Sequence, residues 1–178
     1  MMKKKYLLVT VLFGAMVTSN IVRAICVDNI LKSTPDDQFV FYNNGTLLDQ
    51  KSGLIWMRCS LGQKWNGNDC IEKPLRLDWQ SALAIAKDYV YADANNWRLP
   101  NIKELASILE NACYSPAVNE YIFPSTLTDD DNGDVLYWAS TPMYSDRLYF
   151  GMSAVIDFDE GGIGWMSREL RYFVRLVR

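Results

Sequence analysis

Twenty-one carboxylates, four cysteines and no histidine bound the chemistry open to this chain. Without an imidazole there is no Ser-His-Asp or Cys-His nucleophile pair, and the common His-ligated zinc and iron sites are excluded. Sugar hydrolysis needs only two carboxyl groups flanking the scissile bond. Asp157, Asp159 and Glu160 are the candidates for such a pair, or for a weaker ligand contact. They adjoin Gly161 and Gly162, the composition of a hairpin tip, and a turn is the preferred interpretation.

Asp129-Asp130-Asp131-Asn132-Gly133-Asp134 has the look of a calcium loop. Aligned on Gly133, the EF-hand frame sets Thr128 at the first ligand position and Ala139 where the bidentate glutamate belongs, so it is no EF-hand. The Glu-Pro-Asn, Gln-Pro-Asp and Trp-Asn-Asp triplets of calcium-dependent lectins are absent as well. Asp129, Asp130, Asp131 and Asp134 therefore read as a solvated acidic loop. No cofactor is expected, with a non-standard calcium site there left open.

The chain holds six tryptophans and ten tyrosines, and aromatic faces are natural platforms for sugar rings. Trp56, Trp79, Trp97 and Trp138 lie in periodic apolar segments and belong to a core. Trp65, Tyr144 and Trp165 lie in glycine-rich or polar surroundings and are the surface candidates for ligand contact. Arg98 and Arg175 each interrupt an apolar run, which suggests arginines bracing the core, with Glu104 a partner for Arg98.

Residues 1–24 have the form of a secretory signal: basic Met1–Lys5, apolar Tyr6–Val17, and Val22-Arg23-Ala24 before a cut after Ala24. The apolar stretch is far short of the ~20 residues that span a bilayer, so no stable membrane insertion is expected after cleavage. Cleavage removes Lys3, Lys4, Lys5 and Arg23, leaving 14 basic against 21 acidic residues and a net charge of −7. That balance disfavours nucleic acid and anionic membranes as partners.

All four cysteines lie beyond Ala24. An even number behind a signal sequence reads as two disulfides formed in an oxidising compartment. No histidine and no Cys-x-x-Cys spacing argue against zinc. Three connectivities are open. Cys59–Cys70 is favoured because Gly62, Gly67 and Asn68 make the segment between them a flexible local loop, which leaves Cys26–Cys113.

The elements that would position these groups are legible in part. Residues 25–38 form an extended arm, and a single domain covers 39–178. Phe39–Tyr42, Thr46–Asp49 and Leu54–Met57, joined by Asn43-Asn44-Gly45 and Gln50–Gly53, predict a three-stranded meander. Asn44-Gly45-Thr46 is also a glycosylation sequon, but a turn is the better account. Asp78 caps a helix from Trp79 to about Val90. Asn101 and Glu104 form a capping box for a second helix ending near Asn111. Val135–Thr141, Leu148–Ser153, Ala154–Phe158, Ile163–Ser167 and Tyr172–Val177 read as strands. Two helices between an early meander and a late run of strands give an α+β class, helices packed on antiparallel sheet with long loops.

Several separated motifs carry a family resemblance. They are Asn43–Asp49 with Ser52–Trp56, Arg58–Gly62 with Trp65 and Cys70, Trp79–Leu83, Trp97–Leu105, Cys113–Asn119, Tyr137–Ser140 and Tyr172–Arg178. Together they resemble the bacterial extracytoplasmic domain family typified by the C-terminal domain of the Legionella collagen-like adhesin. The resemblance implies a C-type-lectin-like fold, related to that of formylglycine-generating enzymes through the Arg98-Leu99-Pro100 turn. Those enzymes use late cysteines, and none follows Cys113 here. The adhesin's collagen-like repeats are not present in these 178 residues, and the acidic balance is a poor match to its sulfated polysaccharide ligands. The expectation is an exported, non-catalytic binding or adhesion module, periplasmic, secreted or at the cell surface, for a glycan or protein partner. A carboxylate-based glycan-processing enzyme and a structural component of a surface or pilus assembly are the alternatives.

Overall fold

The computed structural model describes residues 24–126, 135–144 and 151–178. The arm opens with a two-residue strand, β1 (Ile25–Cys26), and a single 3-10 turn at Asp36–Gln38 leads into the meander of β2 (Phe39–Phe41), β3 (Thr46–Asp49) and β4 (Ile55–Met57). Phe41 faces Leu47 across the first pair, and Leu47 faces Trp56 across the second. At the first turn Gly45 takes φ +80, while Asn44 Oδ1 accepts from the Thr46 amide at 3.2 Å and its hydroxyl at 2.7 Å. The sequon is thus the turn itself, with Thr46 buried. A short ribbon, β5 (Lys64–Trp65) with β6 (Cys70–Ile71), follows.

Helix α1 (Trp79–Asp88) starts on Asp78, whose carboxylate accepts from the Ser81 amide at 2.9 Å and hydroxyl at 2.7 Å. Helix α2 (Ile102–Ala106) carries the full capping box, Asn101 Oδ1 accepting from Lys103 and Glu104 amides and Glu104 from the Asn101 amide at 2.8 Å. It stops five residues short of the expected end near Asn111. The amides of Ile108 and Leu109 turn to the carbonyls three residues back, tightening the last turn. Glu110, only 1 % exposed, is thereby placed to bind the arm instead of continuing a helix.

Strand β7 (Cys113–Tyr114) pairs antiparallel with β1. The Cys26–Cys113 and Cys59–Cys70 disulfides are both present. The main sheet follows, β8 (Leu136–Pro142), β9 (Met152–Asp157) and β10 (Ile163–Ser167), all antiparallel with β9 central. The two strands expected at Leu148–Ser153 and Ala154–Phe158 are, over the described residues, the single β9. Its interior is buried on both faces. Ala154 and Ile156, with Tyr137 and Ala139 of β8, enter a core with Leu105, Ile108 and Phe123; Val155, with Leu136 and Trp138, enters a second with Ala82, Ala86 and Trp97. Two-sided burial removes the polar alternation that marks a half-exposed strand. α1 packs against β8, and α2 against β8 and β9.

Tyr172–Val177 was expected to form a strand, and its residues make isolated bridges to several elements instead. Ile55 and Arg178 exchange both backbone bonds, as do Arg98 and Val177, while Phe173 bonds Leu136 and Trp138. The segment's partner changes nearly every residue, so no single ladder forms. Phe173 and Val177 fall in the first core, Tyr172, Val174 and Leu176 in the second. Arg175 is buried between them, its guanidinium bonded to the Arg58 carbonyl and to Thr126 Oγ1 (2.8 Å) and lying over the Phe123 ring. Arg98 differs from expectation. Trp97 and Leu99 point inward, so the strand period turns Arg98 outward, where it pairs with Glu104 at the surface.

Candidate binding cleft

The meander, the disulfide-closed loop and the segment after β7 converge on a cleft of about 320 Å³. Phe41 comes from β2, Arg58 follows β4, Trp65 is on β5, and Asn68 lies in the β5–β6 turn. Glu120 and Tyr121 approach from the opposite side. Cys59–Cys70 closes the loop bearing Trp65 and Asn68, so the wall they form is fixed to the end of the meander. Gly45 lies behind it. A Cβ there would sit 2.6 Å from Trp65 Cβ and against the Tyr91 hydroxyl, which is why the turn needs glycine for space as well as for φ.

Arg58 is the inner face of the cleft. Its guanidinium carbon lies 4.2 Å from the Trp65 ring centroid and 4.9 Å from that of Phe41. Nε donates to the Ile122 carbonyl at 3.0 Å and Nη2 to the Tyr121 carbonyl at 2.6 Å. Burial lowers its pKa from the usual arginine value, against the attraction of Tyr121 and Asp69. A guanidinium stays charged even so. Tyr121 is 64 % exposed and its ring meets Phe41 edge-on at 5.3 Å. The Asn68 carboxamide finds no hydrogen-bond partner among the described residues, and Glu120 accepts at Oε2 from the Ala24 amide at 2.8 Å. An exposed ring, a fixed cation, a free amide and a carboxylate thus face one space.

In two larger clefts the central charged groups are engaged in the fold. One, about 600 Å³, runs beside the Trp97–Asn101 turn. Its Arg98 and Glu104 pair bidentately at 2.7 and 2.9 Å, a bond that raises the Arg98 pKa and holds the Glu104 carboxyl below its ordinary value. The other, about 630 Å³, is lined by Asp78 and Arg168. Asp78 caps α1, and Arg168 lies 4.4 Å over Trp79 and donates to Ser153 Oγ at 2.8 Å.

Residues 45–178 match the model of the Lcl C-terminal domain. The chain belongs to that family. No curated protein and no solved structure matches this Lcl C-terminal domain significantly. The matched span begins at Gly45 and takes in Arg58, Trp65, Asn68, Glu120 and Tyr121, leaving Phe41 just outside.

Of the residues singled out by their chemistry, the Lcl-type domain brings Trp65 into the cleft. Asp157, Asp159 and Glu160 occupy the β9–β10 turn, where the Asp157 carbonyl accepts from Gly161 at 2.9 Å and its carboxylate from the Asp159 amide at 2.8 Å. Trp165 is 37 % exposed on β10 opposite Ala154, and Tyr144 is 96 % exposed beyond β8; neither lines the cleft. Asp129, Asp130, Asp131 and Asp134 lie outside the described residues, among which no three His, Cys, Asp or Glu gather to hold a metal. No described helix is long and apolar enough to cross a membrane. Phe41, Arg58, Asn68, Glu120 and Tyr121 were not singled out. Arg58 carried a signal as a cation beside a cysteine, but Tyr121 sits in an apolar Tyr-Ile-Phe run whose other two members are core.

Proposed function

We propose that this is a non-catalytic binding module acting outside the cytoplasm on a glycan or protein partner. The cleft carries the proposal: Tyr121 presents a largely exposed ring beside unspent polar groups, on walls held by a disulfide. Recognition sites combine such apolar faces with a few placed polar groups. Two disulfides fit an exported protein, and membership of the Lcl C-terminal domain family favours an adhesin-like role. The carboxylate-hydrolase alternative gains no support from Asp157, Asp159 and Glu160, which line none of the three clefts and of which Asp157 is engaged in its own turn.

The test is binding of the oxidised protein, freed of residues 1–24, to a broad glycan array with calcium and then with chelator, alongside cross-linking to purified envelope proteins. Saturable binding in either arm that weakens with Tyr121→Ala supports the proposal. Binding abolished by chelator would assign the ligand contact to a metal site and not to this cleft. Silence in both arms, or turnover of a glycan on the array, would overturn it.

A further inference from the structure

We infer that the cleft takes a neutral pyranose, a hexose or N-acetylhexosamine unit of an uncharged glycan, stacked on Tyr121. The inference deepens the binding-module proposal and rests on it. At about 320 Å³ the space is at the low end for small-molecule sites, which suits one sugar unit of a longer chain. Tyr121 offers the open face, and its edge-on contact with Phe41 holds the ring at a set angle before any ligand arrives. A pyranose lays its C–H face on such a ring and leaves its hydroxyls pointing sideways. The free Asn68 amide can donate and accept there, and the Glu120 carboxylate, whose Ala24 partner leaves with residues 1–24, can accept.

Charge disfavours ionic ligands. Among the described residues Arg58 is the one cation lining the cleft, and two of its nitrogens are already bonded to the Tyr121 and Ile122 carbonyls. Glu120 in the lining and Asp69 nearby offset its charge. A sulfate or uronate therefore meets few spare donors, on a domain that carries a net charge of −7 once residues 1–24 are removed. A cationic ligand fares no better, because Arg58 already fills the slot between Phe41 and Trp65.

The experiment titrates the same oxidised protein with neutral β-linked glucose, galactose and N-acetylglucosamine oligomers and with sulfated and uronate polymers. Each titration is followed by tryptophan fluorescence at low and high salt. Tyr121→Ala and Asn68→Ala, both at exposed side chains, are compared after thermal melting shows them folded. A neutral oligomer should bind with an affinity that salt leaves unchanged and that each variant weakens about tenfold, the size expected for loss of one good contact. Binding confined to the charged polymers and lost in high salt overturns the inference while leaving the binding module in place. So does neutral-glycan binding that ignores both variants. Silence across this panel overturns it too, and the protein-partner arm of the earlier test then decides the broader proposal separately.

Discussion

Glu110→Gln is the sharpest test of how the arm is held. The wild-type carboxylate is 1 % exposed and accepts four hydrogen bonds. Oε1 takes the Ser33 amide (3.0 Å) and the Ala112 amide (3.0 Å), while the Ser33 hydroxyl gives its proton to the Leu109 carbonyl (2.8 Å). Oε2 takes the Thr34 amide (3.0 Å) and hydroxyl (2.8 Å). Glutamine keeps the shape but turns one oxygen into a donor. With its oxygen on the Ser33 side, its NH2 meets the Thr34 N–H, leaving a buried donor unmet. That penalty is about 1–3 kcal/mol, and the remaining bonds lose their charge assistance, for a total of about 3 kcal/mol. In a domain of this size that is a fall in Tm of roughly 6–12 °C.

The pH dependence supplies a second check. Burial pushes the Glu110 carboxyl up, but the bonds from Ala112, Thr34 and Ser33 together outweigh it and hold its pKa below the ordinary 4.5. The folded value lies below the unfolded one. Its contribution is therefore complete above about 4.5 and is lost as the pH falls through the depressed folded value. Urea melts should show the full gap between wild type and variant at pH 7 and a closing gap in acid. A gap under about 0.5 kcal/mol at pH 7, or one that stays constant as the pH falls, would refute the account.

Three further outcomes follow. Asn101→Ala removes the acceptor for two α2 amides and should destabilise by about 1 kcal/mol in chemical melts. Gly45→Ala adds a methyl against Trp65 and Tyr91 at positive φ, so it should destabilise by about 2 kcal/mol or more and alter Trp65 fluorescence. Replacing Cys59 and Cys70 together should cost about 3 kcal/mol for their separation of 11 and loosen the cleft wall, so ligand binding should fall. Replacing Cys26 and Cys113 opens a separation of 87 and should cost about 4–5 kcal/mol, yet leave cleft binding intact while the domain is folded.

The amino-acid sequence by itself determined the features whose physics is local. The Asn44-Gly45 turn, the Asp78 cap and the Asn101–Glu104 capping box each depend on side chains reaching backbone groups within four residues. The meander follows from the Asn44-Gly45 and Gln50–Gly53 turns between short apolar runs, and Cys59–Cys70 from a short glycine-bearing loop. Tertiary structure decided the rest. α2 ends early because Glu110 binds Ser33 and Thr34, some 76 residues away in the chain. Glu104 was legible as a partner for Arg98, but Arg98 and Arg175 looked alike in apolar runs, and only packing leaves the first at the surface and sets the second between Phe123 and Tyr137. The last residues read as a strand, but their hydrogen bonds are divided among Ile55, Met57, Arg98 and Trp138. The cleft itself draws Phe41, Arg58, Trp65, Asn68 and Tyr121 from separate segments. No local preference marks such residues as neighbours, because their proximity comes from long-range pairing and one disulfide, not from any turn or period in the chain.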